Sequence, residues 1–405
     1  MKIVQINCVY EYSSTGRTTM EMHEYCMSYG IESHVFCMNK SDADNNVYYV
    51  GTQLDHKLHA LWSRIWGMQG FFSKSATRKM VSQLKRIQPD VVILRNLHSN
   101  FVNLPILLGY LAKYDIPTIV VLHDCWFFTG HCTHYTAHKC YKWQSECKNC
   151  KLMKLDNPSL FFDTSRKMFR AKKELFVSIP RLAVVGVSDW ITDEGHKAPI
   201  FQNAKIFQRI YNWINLKPFH PKDTILLRKK LGLKDTDFVA LGVSMSWDYR
   251  KGMEIFFDIA ERIPDITIIM IGCLPDCELL PNILNVPPMG AVDELVEYYS
   301  LADVLFNFSI QETFGKVAAE ALACGTPLIV NETTANPELP GECGFVVKNN
   351  DVNNIISAVN TIRSRGKGYY QQMCVERAHN LFEKDKNIEQ YIAVSYTHLR
   401  AHETG

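Results

Sequence analysis

From Asp303 to Val330 the chain reads as a strand, a loop, a short helix and a second strand, the unit from which parallel sheets are built. Val304 to Phe308 is a buried-type apolar run. Gly315 to Ala323 is a helix of small residues, stopped by Gly325 with Pro327 just beyond, and Leu328 to Val330 opens the next strand. In such a unit the helix N-terminus faces the crevice above the strand ends, where free N–H groups and the helix dipole attract phosphate. Two carboxylates flank that N-terminus, Glu312 in the loop and Glu320 inside the helix. A glutamate near a helix start is often only a dipole partner, worth about 0.3–1 kcal/mol. Two of them beside an anion site make chemical sense when the ligand also carries hydroxyls, because carboxylates accept paired hydrogen bonds from diols. Phosphate plus diols describes a nucleotide sugar.

The same alternation runs along the rest of the chain. Lys2 to Ile6, Ser33 to Cys37, Val91 to Leu94, Thr118 to Leu122 and Leu182 to Val187 are short, largely apolar runs, with amphipathic stretches such as Thr19 to Tyr29 and Ala76 to Ile87 between them. Phe238 to Val243 and Ile266 to Ile271 repeat the theme. Strands apolar along their whole length belong to sheets covered on both faces. A chain of 405 residues exceeds one ordinary core and is expected to form two domains of about 150–200 residues. The expected division is 1–209, 210–370 and a closing helix at 371–393, with Lys217-Pro and His220-Pro breaking regular structure near the junction. Neither GxGxxG nor a Walker A sequence is present, which weakens dehydrogenase and NTPase readings.

Charge narrows the partners. A net charge of +2 argues against bulk nucleic-acid binding. No apolar run approaches the ~20 residues of a membrane span, and Met1-Lys-Ile-Val leads into a strand, not a signal peptide. With 13 cysteines and no export signal, a reducing cytosol is the expected compartment. Residues 394–405, beginning Val394-Ser-Tyr-Thr-His-Leu-Arg-Ala-His-Glu, look like a translated sequencing adapter and are set apart from the fold reasoning, which leaves 371–393 as a truncated helix.

Glu312, seven intervening residues and Glu320, followed by Ala-Cys-Gly-Thr-Pro, resemble the donor signature of glycosyltransferase family 4. The resemblance implies an α/β, GT-B fold, two doubly wound Rossmann-like domains facing across a cleft, and retaining sugar transfer. It implies that Glu312 faces the transferred sugar and Glu320 the ribose. Phe314, Gly315 and the adjoining Lys316 would lie near the sugar and diphosphate.

Other candidate residues follow from position and from that resemblance. Lys251, in Trp247-Asp-Tyr-Arg-Lys-Gly252, precedes a helix after the first strand of the second half and aligns with the family's Lys-Gly element. A fixed cation there stabilises a departing diphosphate. The family's usual upstream arginine is replaced by Met245-Ser-Trp, so Arg250 or Arg17 is expected to substitute; the alternative is two solvated basic side chains. Ser13-Ser-Thr-Gly16-Arg17-Thr-Thr resembles the family's N-terminal glycine loop, with Gly16 admitting close backbone approach. His123 ends the Thr118 strand at the crevice and suits a hydroxyl or acceptor contact, with His98 a weaker candidate of the same type. Both could equally be structural.

Two further features have double readings. Cys132, Cys140, Cys147 and Cys150 in the insertion at 125–150 could form a structural zinc site, or be free thiols or a labile disulfide; His131, His134, His138 and Cys125 are alternative ligands. A similar Cys-rich segment marks a bacterial subgroup of these transferases. Leu58, Leu61, Trp62, Ile65 and Trp66 lie at helical spacing among lysines and arginines. Such a stripe is ordinarily core. Its functional reading is a patch resting on the inner membrane beside a lipid-linked acceptor. The expected activity is therefore transfer of a hexose-type sugar from a nucleoside diphosphate donor to a saccharide or lipid-linked saccharide in surface polysaccharide assembly. It would take place at the cytoplasmic face and need no catalytic cofactor. A nucleotide-sugar epimerase and a non-catalytic sugar-nucleotide binder are the alternatives.

Overall fold

The computed structural model describes residues 1–39, 45–155, 157–348 and 351–400. The chain divides into two compact units, one formed by Met1–Ile210 with Asp385–Gly405 and the other by Tyr211–Lys384.

The first unit begins β1 (Lys2–Ile6), α1 (Ser13–Ser28), β2 (Glu32–Cys37), β3 (Val47–Tyr49), α2 (Gln53–Trp66) and α3 (Lys74–Ile87). It continues β4 (Val91–Leu94), α4 (Leu104–Lys113), β5 (Thr118–Leu122), α5 (Ser165–Val177), β6 (Leu182–Gly186), α6 (Asp189–Lys197) and β7 (Ile206–Arg209). Its seven strands form one parallel sheet in the order β3-β2-β1-β4-β5-β6-β7. β4, β5 and β6 are buried at every position, as expected of strands covered on both faces.

The second unit runs α7 (Ile225–Lys230), β8 (Phe238–Ser246), α8 (Met253–Arg262), β9 (Ile266–Cys273), β10 (Ile283–Val286) and α9 (Val292–Leu301). It then adds β11 (Val304–Asn307), α10 (Lys316–Ala323), β12 (Leu328–Asn331), β13 (Gly344–Val347), α11 (Val352–Arg365) and α12 (Lys367–Phe382). Its parallel sheet has the order β10-β9-β8-β11-β12-β13. Both sheets therefore reverse direction beside their first strand, between β1 and β4 and between β8 and β11. Open α/β sheets bind ligands in the crevice outside the strand C-termini at such a switch point.

Where one closing helix from residue 371 was expected, the structure has α12 and α13 (Lys384–Arg400), parted at Glu383, whose backbone is extended. α13 carries on through the residues set apart by sequence, and Val394, Ser395 and His398 are buried in the first unit. The stripe on α2 departs from the core reading. Leu58, Leu61, Trp62 and Trp66 are exposed and Ile65 half-buried, while the helix buries the polar His59 and Ser63. The inward face is polar because it is held by hydrogen bonds. His59 pairs with Ser73 Oγ at 2.7 Å and accepts from the Gly70 N–H at 3.2 Å.

Candidate active site

The switch point of the second unit is built from the segments that follow β8 and β11. After β8, Asp248 caps a single turn by accepting from the Arg250 and Lys251 N–H groups. Gly252 then turns the chain into α8 with φ +73°. A Cβ at Gly252 would lie 2.6 Å from Phe308 Cβ, so glycine is what lets this turn press against the end of β11. The Ile310 N–H closes the gap by donating to the Arg250 carbonyl at 2.9 Å.

That closure brings two sequence candidates together. Lys251 Nζ lies 2.7 Å from Glu312 Oε1 and 3.4 Å from Ser309 Oγ. Both charged side chains keep partial solvent access, 38% for the lysine and 20% for the glutamate, so the pair is reachable by a ligand. Glu312 is fixed through its backbone. Its N–H donates to Thr334 Oγ1 at 3.1 Å and its carbonyl accepts from Ala335 at 3.2 Å. The loop beneath is tied by amides: Asn336 Nδ2 donates to the Ser309 carbonyl at 2.8 Å, and Asn307 Nδ2 donates to Asn336 Oδ1 at 3.2 Å.

Gly315, with φ +86°, is the N-cap of α10 and, having no side chain, offers its first N–H groups no capping oxygen. The cap residue of α10 therefore does not compete for these N–H groups, which favours anion binding at a helix terminus. Phe314 is buried against Phe382 and Tyr211, and Lys316 is the half-buried first residue of α10. Glu320 is buried inside α10 and accepts from the Tyr299 hydroxyl at 2.9 Å. Burial, then the negative charge of Glu320, hold the Tyr299 hydroxyl protonated far above its ordinary range. Arg250, expected to supply a second phosphate cation, is turned to Asp248, with Nε and Nη2 at 2.8 and 2.6 Å from Oδ2.

The first unit gathers its candidates at its own switch point. The expected glycine loop is instead the opening of α1, which starts at Ser13; the loop proper comes earlier, between Asn7 and Tyr12. Asn7 explains the shift, since its side-chain amide donates to the Val9 and Thr15 carbonyls and to Thr19 Oγ1, tying the loop to α1. Gly16 is buried in the first turn of α1, where a Cβ would come within 3.3 Å of Tyr10 backbone and Val9 Cγ2. Arg17 is exposed.

His123 sits at the end of β5 with Nε2 3.3 Å from Arg95 Nη1. A guanidinium has no acceptor, so Nε2 is the accepting nitrogen and the ring proton resides on Nδ1. Burial, reinforced by the Arg95 charge and opposed by Asp124, lowers the His123 pKa to about 3, which keeps the ring neutral at physiological pH. Arg95, which sequence reasoning did not single out, is fully buried, donating to Gln5 Oε1 at 3.0 Å and to Thr18 Oγ1 at 3.4 Å. A charged residue straight after an apolar strand was the available signal. His98 pairs with Asp124 at 2.9 Å; burial opposes ionisation of that carboxyl, but His98 and the Trp126 N–H hold its pKa below the ordinary value.

Cys132, Cys140, Cys147 and Cys150 line one small cavity of about 20 Å³ beside His131 and Trp143. The Cys147 thiol accepts from the Gly130 N–H at 3.2 Å, and burial pushes its pKa up to about 11. Among the described residues no group of three or more His, Cys, Asp or Glu side chains is placed to hold a metal ion, so the residues as they stand do not fit the expected structural zinc. Cys140, Cys147 and Cys150 are free thiols.

Solved structures share this fold. A sucrose-phosphate synthase from Thermosynechococcus elongatus superposes with a TM-score of 0.68 over 99% of both chains, at 17% identity. Anabaena HepE in complex with UDP-glucose superposes with a TM-score of 0.65 over 98% of this chain and all of that one, at 15% identity. The fold is GT-B. Two family models match, "Glycosyltransferase Family 4" over residues 15–152 and "Glycosyl transferases group 1" over residues 236–364. One model lies in each unit, so each half of the chain matches a glycosyltransferase family.

Among curated relatives, N-acetyl-alpha-D-glucosaminyl L-malate synthase of Bacillus anthracis is 23% identical over 55% of this chain and 61% of its own length. Alpha-monoglucosyldiacylglycerol synthase of Acholeplasma laidlawii is 25% identical over 65% of this chain and 64% of its own. D-inositol 3-phosphate glycosyltransferase of Mycobacterium sp. (strain KMS) is 27% identical over 42% of each. The chain thus spans about two fifths to two thirds of the length of these relatives.

Proposed function

We propose that the protein is a retaining glycosyltransferase that moves a hexose-type sugar from a nucleoside diphosphate sugar to a saccharide or lipid-linked saccharide of a surface polysaccharide. The observation that carries this reading is the Lys251–Glu312 pair beside the uncapped start of α10, at the β8/β11 switch point. In the proposed reaction the diphosphate lies at the α10 N–H groups and Lys251, and Glu320 holds the ribose hydroxyls. Glu312 gives up part of its contact with Lys251 to the transferred sugar. The bond from the anomeric carbon to the phosphate oxygen breaks as the acceptor oxygen attacks from the same face. The acceptor proton passes to the departing diphosphate. Negative charge grows on that diphosphate in the transition state, so a fixed cation and helix amides lower the barrier more than they tighten ground-state binding. His123, kept neutral by its burial, is proposed for a hydroxyl or acceptor contact. Lys251 and the amides perform the charge neutralisation, and the reading needs no catalytic cofactor.

UDP-glucose, bound by the Anabaena neighbour, heads a panel of labelled nucleoside diphosphate sugars that tests the reading. Transfer, or slow hydrolysis, with retained anomeric configuration is expected. Interconversion of sugars would make the protein an epimerase, and binding without turnover a sugar-nucleotide sensor.

A further inference from the structure

α2 is built inside out. Its buried residues are His59 and Ser63, at 1% and 7% exposure, while Leu54, Leu58, Leu61, Trp62 and Trp66 face solvent along a helix of about 21 Å. The apolar surface does not end with the helix. The segment before α5 packs on its C-terminal end, where the Leu160 N–H donates to the Arg64 carbonyl at 2.6 Å and Thr164 Oγ1 to the Gly67 carbonyl at 2.7 Å. Phe162 stacks on Trp66 with ring centroids 4.8 Å apart and planes 8° from parallel. Leu160 and Phe161 stand beside it, Phe161 at 68% exposure. Eight large apolar side chains on two adjoining segments form a patch of the kind that marks an interaction surface.

Charge selects the occupant. α3, which follows α2, carries Lys74, Arg78, Lys79, Lys85 and Arg86, all exposed, and no acid, although the whole chain is nearly neutral. An open groove of about 420 Å³ joins the two helices, lined by Thr52 and Asp55 of the α2 start and by Lys79, Gln83 and Arg86 of α3. Apolar side chains rich in tryptophan and phenylalanine, beside a helix whose charged residues are all lysine and arginine, match the interface of an anionic bilayer. A protein partner or a second copy of this chain would have to offer an equally basic-tolerant, apolar face.

We propose that α2 and the Leu160–Phe162 segment form a monotopic wedge by which the first unit rests on an anionic lipid surface, with the basic face of α3 over the headgroups. The inference does not depend on the transferase reading, because its test measures binding and not turnover.

Flotation of the full chain with vesicles of phosphatidylcholine alone, and with a third of phosphatidylglycerol added, decides it. Binding to the anionic vesicles is expected, weakening with salt and accompanied by a blue shift of tryptophan emission. The pair Trp62→Ser and Phe161→Ser should weaken it by roughly tenfold or more, since each removes a large apolar side chain from the contact. The pair Lys79→Glu and Arg86→Glu should abolish the preference for anionic vesicles. All four positions are exposed, and unchanged near-ultraviolet circular dichroism verifies folding. Absence of binding to either vesicle, or wild-type binding by the Trp62→Ser, Phe161→Ser protein, overturns the proposal. So does a dimer in sedimentation velocity that this variant dissolves while vesicles never bind, which would make the patch a contact between copies.

Discussion

Lys251 Nζ and Glu312 Oε1, separated by 61 residues in sequence, meet at 2.7 Å across the β8/β11 switch point. The pair matters less for stability than for poise. A half-exposed ion pair contributes about 0–1 kcal/mol, so its cost of opening is small when a diphosphate competes for the ammonium and a sugar hydroxyl for the carboxylate.

If the two groups act as one device, their substitutions will not add. Lys251→Ala should lower kcat by roughly a hundredfold, in line with the loss of one preorganised charge-stabilising group, with a smaller change in KM for the donor. Glu312→Gln in the Lys251→Ala background should cost much less than it does alone. Steady-state kinetics on the four-member cycle checks this, and independent losses would separate the two residues.

Glu320 is presented by Tyr299, so the tyrosine should matter for donor affinity without touching donor. Tyr299→Phe removes one hydrogen bond to a buried carboxylate, a loss of about 1.5–3 kcal/mol. Weaker nucleoside diphosphate binding in calorimetry is expected for both Glu320→Gln and Tyr299→Phe, with kcat changed less than KM. Equal binding by both variants would remove Glu320 from the ribose site.

Gly252 tests the turn that places Lys251. Alanine there meets Phe308 at 2.6 Å and must hold φ near +73°. The left-handed backbone alone costs about 1–2 kcal/mol. Gly252→Ala should lower the urea midpoint and abolish activity, whereas Gly232→Ala, also at positive φ but with open space around it, should lower stability less and spare activity.

Acid should destabilise the first unit through two histidines. Burial, then His56, lowers the His59 pKa to about 3, and burial, then Arg95, does the same to His123, from an ordinary 6.5. The unfolded chain therefore binds protons that the folded one refuses. The resulting stability is complete above pH 6.5 and is lost as pH falls toward 3, at up to about 1.4 kcal/mol per pH unit for each ring. Urea midpoints measured between pH 7.5 and 5 should fall, and His59→Gln should flatten the slope.

Much of this molecule is legible in its residues. Apolar runs such as Val91–Leu94 and Thr118–Leu122 announce buried parallel strands because a strand covered on both faces has no polar side. Glu312, Gly315 and Glu320 announce a site because their spacing straddles a helix start. The edge strands Val47–Tyr49, Ile206–Arg209, Ile283–Val286 and Gly344–Val347 were missed, since they are short and only partly buried and so carry no clean pattern. The start of α1 was misread because the Asn7 hydrogen bonds that hold the loop are contacts at a distance in sequence.

Local chemistry, periodicity and turn residues determined the two α/β units and most of the candidate residues. Tertiary structure alone decided that Lys251 pairs with Glu312 while Arg250 turns to Asp248, that Arg95 fixes the His123 tautomer, and that α2 faces outward. An apolar stripe at helical spacing states that a helix has an oily side. Which way that side points depends on what the opposite face can bond to, and here His59 bonded inward to Ser73 and Gly70.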